Sequence, residues 1–249
     1  MSRNHDRQIT IFSPEGKLYQ IEYALKSIQN QGILGICLRG KDTVCTVAQR
    51  KVPDKLLDPS CITNMYNITP NIGCLAIGSV PDCKVVITQA RQIAAKFKDQ
   101  NGYEIPVHFL ASKVGKKAQI FTQHAGVRPL GTVIHLLGVD DEKGPQLWKI
   151  DPSGHYFGWK ALATGPKDQE GMNALEKVVK NAESSTNPHE TTLTKEQTIR
   201  KCMDVLCQVL AQDLKAQDLE VGVVSENDPF RLLSAAEIDD HLTAIHEQD

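Results

Sequence analysis

An α+β layered sandwich is the fold class this sequence predicts, and three observations predict it. Short β-prone runs bounded by turn residues come in groups rather than singly. Between the groups the apolar spacing switches to a period of 3.6, as amphipathic helices require. The order is strands, helix pair, strands, helix pair, strands, helix, without the strand–helix alternation of a parallel doubly wound fold. Two antiparallel sheets packed face to face, with helix pairs over their outer faces, would bury every apolar stripe. At 249 residues, and with domains of roughly 150 residues as the prior, the chain predicts one large domain, since no Pro/Gly/Ser-rich linker divides it.

Residues 9–12 open the chain's pattern as a β-prone run. Ser13-Pro14-Glu15-Gly16 then carries Pro at its second position and Gly at its fourth, the chemistry of a type I turn. Leu18, Ile21, Leu25 and Ile28 follow at helical spacing and predict a helix over residues 18–29. Residues 33–38 and 44–48 read as a hairpin about Arg39-Gly40-Lys41-Asp42, and residues 62–68 and 72–77 as a second pair. Ser79 is the expected N-cap of a helix whose Val86, Ala90, Ile93 and Phe97 share a face and which Gly102 ends. Pro106 opens the next, with Val107, Leu110, Val114, Ala118 and Phe121 aligned. Strands are expected at 131–139, 146–150 and 155–163. Helices centred on Leu175 and Val178, and on Ile199, Met203, Leu206 and Leu210, come next; Thr194 and Gln197 form a capping box for the latter. The polar residues 183–192 join them. A strand at 219–224, the segment 230–233 and a helix opened by a second capping box, Ser234 with Glu237, complete the chain.

Composition narrows function by exclusion. Apolar residues make up 41% and charged residues 23%, as in ordinary globular proteins. A net charge of -2 gives no electrostatic reason to expect nucleic acid or an anionic membrane as partner. No apolar run approaches the ~20 residues that span a bilayer, and residues 1–5 have no signal-peptide character. The seven cysteines include no Cys-x-x-Cys pair, and none of the eight histidines stands at metal spacing, so neither a disulfide framework nor a metal site is expected. The expected compartment is reducing: cytoplasm or nucleus.

The wording of residues 6–24 is more specific than its pattern. Asp6-Arg7-Gln8, then Ser13-Pro14-Glu15-Gly16, then Gln20-Ile21-Glu22-Tyr23-Ala24 closely resembles the N-terminal signature of α-type subunits of the 20S proteasome. Lys51-Val52-Pro53-Asp54-Lys55-Leu56-Leu57, Gly102-Tyr103-Glu104-Ile105-Pro106-Val107, Arg128-Pro129-Leu130-Gly131 and Ala236-Glu237-Ile238-Asp239 resemble the type-6 members, which take the first position of the α ring. This resemblance implies the four-layer αββα sandwich of the N-terminal nucleophile hydrolase fold. It also implies a division into a gate tail (1–12), an α-type turn and helix (13–32) and a sandwich domain (33–249).

The fold raises the question of catalysis. Enzymes of this fold expose a Thr, Ser or Cys as a new N-terminus, one residue supplying both hydroxyl and amine base. In the related β-subunits that Thr follows a Gly at the first strand; here Gly32 is followed by Ile33. Gln49 and Asn64 stand where the β-subunits use an acid and a Lys, and neither brings a charge. No catalytic residue is therefore expected, and a threonine-type N-terminal nucleophile hydrolase is the alternative. No other catalytic or phosphate-binding motif occurs, and no cofactor is expected.

The resemblance implies a non-catalytic subunit that forms the outer ring, gates substrate entry and docks activators. Its partners would be other α-subunits, β-subunits, and regulatory-particle ATPase tails or other activators. Related rings stabilise their open gate with a Tyr, Asp, Pro, Tyr cluster; Asp6, Pro14 and Tyr23 match three members, His5 replaces the first Tyr, and Arg7 follows in the pattern. Tyr23 is read equally well as a core aromatic. Activator tails enter a pocket to which Gly32 and Asn64 are assigned, Asn64 standing where a Lys commonly receives the terminal carboxylate.

Overall fold

The computed structural model describes residues 10–183, 191–212 and 214–247. After the Ser13–Gly16 turn, closed by Gly16 N–H donating to Ser13 O at 2.8 Å, helix α1 runs Tyr19–Asn30. The hairpin β1 (Gly35–Arg39) and β2 (Thr43–Gln49) is followed by β3 (Met65–Thr69) and β4 (Ile72–Gly78). Helices α2 (Val80–Asn101) and α3 (Val107–Gln123) form the first pair. Strands β5 (Thr132–Asp140), β6 (Gly144–Ile150), β7 (Tyr156–Gly158) and β8 (Ala161–Thr164) precede α4 (Asp168–Ala182) and α5 (Lys195–Leu210). Strands β9 (Leu219–Ser225) and β10 (Asp228–Leu232) and helix α6 (Ala235–His246) finish the chain.

The strands form two five-stranded antiparallel sheets, ordered β10-β9-β2-β1-β8 and β3-β4-β5-β6-β7. Side chains alternate between faces along a strand, so β1 and β2 feed two cores at once. Ile36, Leu38, Cys45 and Val47 pack under α4, α5 and α6. Cys37, Val44 and Ala48 fill the space between the sheets with Leu75, Ile77 and Leu137. Helices α2 and α3 cover the second sheet through Val86, Ala90, Leu110 and Val114. That is an αββα sandwich, and it explains why β2, β4 and β9 are buried along their whole length. The buried cysteines pack as small apolar groups; burial pushes Cys83 up to about 11 and Cys37 to about 12. Phe230 ties the sheets together: its ring lies where a Cβ on Gly73 or on Gly222 would stand, 2.1 and 2.8 Å from the nearest ring atoms. Burying such a ring stabilises by roughly 1.5–3 kcal/mol.

Four expectations are corrected. Residues 10–12 are bend and coil rather than strand, and Ile9 lies outside the described residues. Residues 155–163 are two strands, not one. β7 stays with β6, whereas β8 crosses to the other sheet and pairs with β1 after the chain turns at Trp159 and Lys160. Ser79 stands at the N-cap of α2 without a side-chain cap. The buried line of α1 is Ala24 and Ile28, with Leu25 38% exposed. The helix crosses the end of the sandwich on a narrow seam, and Leu25 is rotated about 100° off it. The capping boxes of α5 and α6 form as expected, as does the left-handed Gly102 cap of α2.

Candidate functional site

The expected site residues fall at two places around α1. His5, Asp6 and Arg7 lie outside the described residues. Pro14 occupies the second position of the turn and is exposed. Tyr23 is 48% exposed on the outward face of α1, so it is not a core aromatic in this chain. Tyr19 OH donates to Glu15 at 3.0 Å, and Lys17 pairs with Glu22 at 3.4 Å. Exposed pairs of this kind stabilise by only ~0–1 kcal/mol, and they tie the turn to the helix that follows.

Gly32 ends α1 in the left-handed region at φ 71°, where glycine carries no Cβ penalty. Its carbonyl accepts a hydrogen bond from Lys51 Nζ. One residue earlier, Arg50 reaches Glu220 Oε1 through Nε at 3.3 Å and Nη2 at 3.1 Å. The Glu220 side chain is 0% exposed, and its Oε2 accepts Asn64 N–H at 2.9 Å. Gly32 and Asn64 are thus joined through Lys51, Arg50 and Glu220. Asn64 Nδ2 is buried without a partner among the described residues. Arg50 is paired with Glu220, which leaves Lys51, on the Gly32 carbonyl, and the unpartnered Asn64 amide as the donors here that could meet an anionic oxygen.

At the start of the first strand the contacts run between uncharged groups. Leu34 is fully buried, its N–H reaches Gln49 Oε1 at 3.5 Å, and Gln49 N–H donates to Leu34 O at 3.2 Å. A neutral amide fills the position next to the strand start. Gly165 closes over Ile33: a Cβ there would come within 2.1 Å of Ile33 O. Among the described residues no group of three or more His, Cys, Asp or Glu could hold a metal ion.

Two contributors escape a reading of the sequence alone. Glu220 is legible in principle, as an acid inside the apolar run 219–224; a charge there is buried only if paired. Lys51 stands in the sequence as half of a basic pair, and its return to Gly32 depends on a loop path that pattern does not encode. Among the described residues no helix is long and apolar enough to cross a membrane.

Comparison with known proteins agrees with this architecture. Residues 30–224 match the family model described as proteasome subunit, and residues 5–26 match the model of the A-type N-terminal signature of proteasome subunits. The chain is 44% identical over 248 residues to the probable alpha type-1 proteasome subunit of Schizosaccharomyces pombe, covering 100% of this chain and 99% of that one. It is 37% identical over 249 residues to the alpha type-6 proteasome subunit of Caenorhabditis elegans, covering 100% and 98%. The alpha type-2-A proteasome subunit of Arabidopsis thaliana is 34% identical over 238 residues, 95% and 96% of the two chains. Two helix-covered antiparallel sheets, an α-signature segment ahead of them and identity along the whole length make this chain a member of the proteasome subunit family, of its α type.

Proposed function

We propose that the chain is a non-catalytic, structural and gating member of the outer heteroheptameric ring of the 20S proteasome core. It assembles with other α-subunits and with β-subunits, and it controls substrate entry during ubiquitin-dependent protein degradation in the cytoplasm and nucleus. The observation that carries this reading is the α signature over residues 5–26, set before a strand start that holds Ile33 and an amide-bonded Gln49 in place of a nucleophile and its acid. In this reading residues 1–12 form the gate tail. His5, Asp6, Arg7, Pro14 and Tyr23 make the chain's share of the gate cluster, and the exposure of Pro14 and Tyr23 suits contact with a neighbour. Gly32 and Asn64 belong to the pocket that docks activator tails, with Lys51 supplying the cation that Asn64 lacks.

The test is deletion of residues 1–12 in the assembled particle. Basal peptide hydrolysis rises while the isolated full-length chain cleaves nothing. An unchanged basal rate removes the gating role. Peptide cleavage by the isolated chain restores the alternative, a threonine-type hydrolase.

A further inference from the structure

Far from α1, a cavity of about 220 Å³ opens between the β3–β4 turn, the α2–α3 loop and the β5–β6 turn. Its lining includes Thr69, Tyr103, Glu104, His108, Asp140 and Glu142. Five buried side-chain polar atoms lack a partner among the described residues, and two of them, Thr69 Oγ1 and His108 Nδ1, sit on residues that line this cavity. A hydroxyl oxygen accepts, and a neutral imidazole offers one acceptor nitrogen. Asp140 is held rigidly: Oδ1 accepts Val107 N–H at 3.3 Å at the start of α3, and Oδ2 accepts Gln146, whose Oε1 is fixed by Trp148 Nε1 at 2.8 Å. Burial pushes the Asp140 carboxyl above its usual range, against the pull of the Val107 amide, His108, Gln146 and Lys143.

Charge is one-sided. Glu104, Asp140, Asp141 and Glu142 share the lining with one lysine, Lys143, and one histidine, His108, while Lys98 pairs with Glu104 at 2.6 Å. The rim carries Tyr103, 58% exposed and braced edge-on by Phe97 at 5.2 Å. No metal cluster forms among the described residues. The volume lies below the ~300–1,000 Å³ of drug-sized sites.

We propose that this cavity receives an arginine side chain from a different chain of the proteasome particle. A guanidinium brings several donors in a plane to a wall of acceptors, and its face stacks on an aromatic ring. An ammonium satisfies fewer of these acceptors. The partner's place in the proteasome rests on the family reading; the arginine chemistry rests on the cavity.

The test places a benzophenone side chain at position 103 of the full-length chain, assembles the particle, irradiates it and sequences the captured peptide. An arginine-bearing peptide from another chain of the particle is expected, and Asp140→Asn or Glu142→Gln lowers the yield about tenfold, the loss of one charge-assisted hydrogen bond. Both variants keep side-chain shape, and Asp140→Asn keeps an acceptor for Val107 N–H. A particle of full native mass that yields no inter-chain product, or a product without arginine, or yields unaffected by both substitutions, overturns the inference and leaves the ring reading standing. Failure to assemble overturns the ring reading instead. In that case, Nα-acetyl-arginine amide shifting the NMR signals of Thr69 and His108 more than its citrulline counterpart supports the cavity chemistry, and equal shifts refute it.

Discussion

His135 makes the acid stability of this chain predictable. It is 0% exposed on β5, between the two sheets. One ring nitrogen, Nε2, lies 3.0 Å from Thr164 Oγ1, and Nδ1 has no partner among the described residues. Burial lowers its pKa from 6.5 to about 3, helped by the Lys149 cation on the paired position of β6, with the Leu75 backbone opposing. A group whose folded pKa lies below its unfolded one is protonated first in the unfolded chain. Its contribution is therefore complete above about pH 6.5 and is lost as pH falls towards 3. At pH 5 the loss is about 2 kcal/mol, taking 1.36 kcal/mol per unit; this is a large part of the ~5–15 kcal/mol that holds a typical domain. Urea unfolding of the full-length chain from pH 8 to pH 5 measures it, comparing wild type with His135→Asn. The variant is less stable at pH 8 because a buried position is disturbed, but its acid limb is flatter by about 2 kcal/mol. Parallel pH curves for the two proteins would refute the reasoning, since every other titrating group is common to both.

Three further outcomes follow from local geometry. Ala211 caps α5 at φ 50°, ψ 46°; Ala211→Gly removes a left-handed strain of ~1–2 kcal/mol against a smaller unfolded-state entropy cost, so the melting temperature rises by about 2–4 °C. Arg50→Met leaves the Glu220 carboxylate buried and unpaired, with an expected loss of about 3 kcal/mol in urea unfolding; Arg50→Met with Glu220→Leu recovers part of it. Asn64→Lys adds a cation beside the proposed activator pocket and tightens a C-terminal activator peptide several-fold, whereas Lys51→Met weakens it; fluorescence anisotropy reads both, and an unchanged Kd for the pair removes Gly32 and Asn64 from that pocket.

Much of the fold was legible because its signals are local. Thr194 with Gln197 and Ser234 with Glu237 announce helix starts within four residues, and Gly102 announces an end through its own backbone preference. The α+β layered class followed from the order of periods, since each amphipathic face has few places to be buried, and the family resemblance supplied the four-layer αββα arrangement. The split of 155–163 was not legible, because both halves are β-prone and only pairing partners in different sheets separate them. Leu25 misled for a related reason. It belongs to a broad apolar stripe, while the seam α1 actually buries runs through Ala24 and Ile28 alone.

The sequence by itself determined the family, through the wording of residues 6–24, and the absence of a nucleophile after Gly32, since a side chain either carries that chemistry or does not. Tertiary structure alone decided that Lys51 returns to Gly32, that Glu220 links Arg50 to Asn64 across the sheet, and that Thr69, His108 and Asp140 share one cavity. These groups are separated by tens to more than a hundred residues in the chain, and only sheet pairing and loop closure bring them within hydrogen-bonding reach. Local pattern carries no record of such distances.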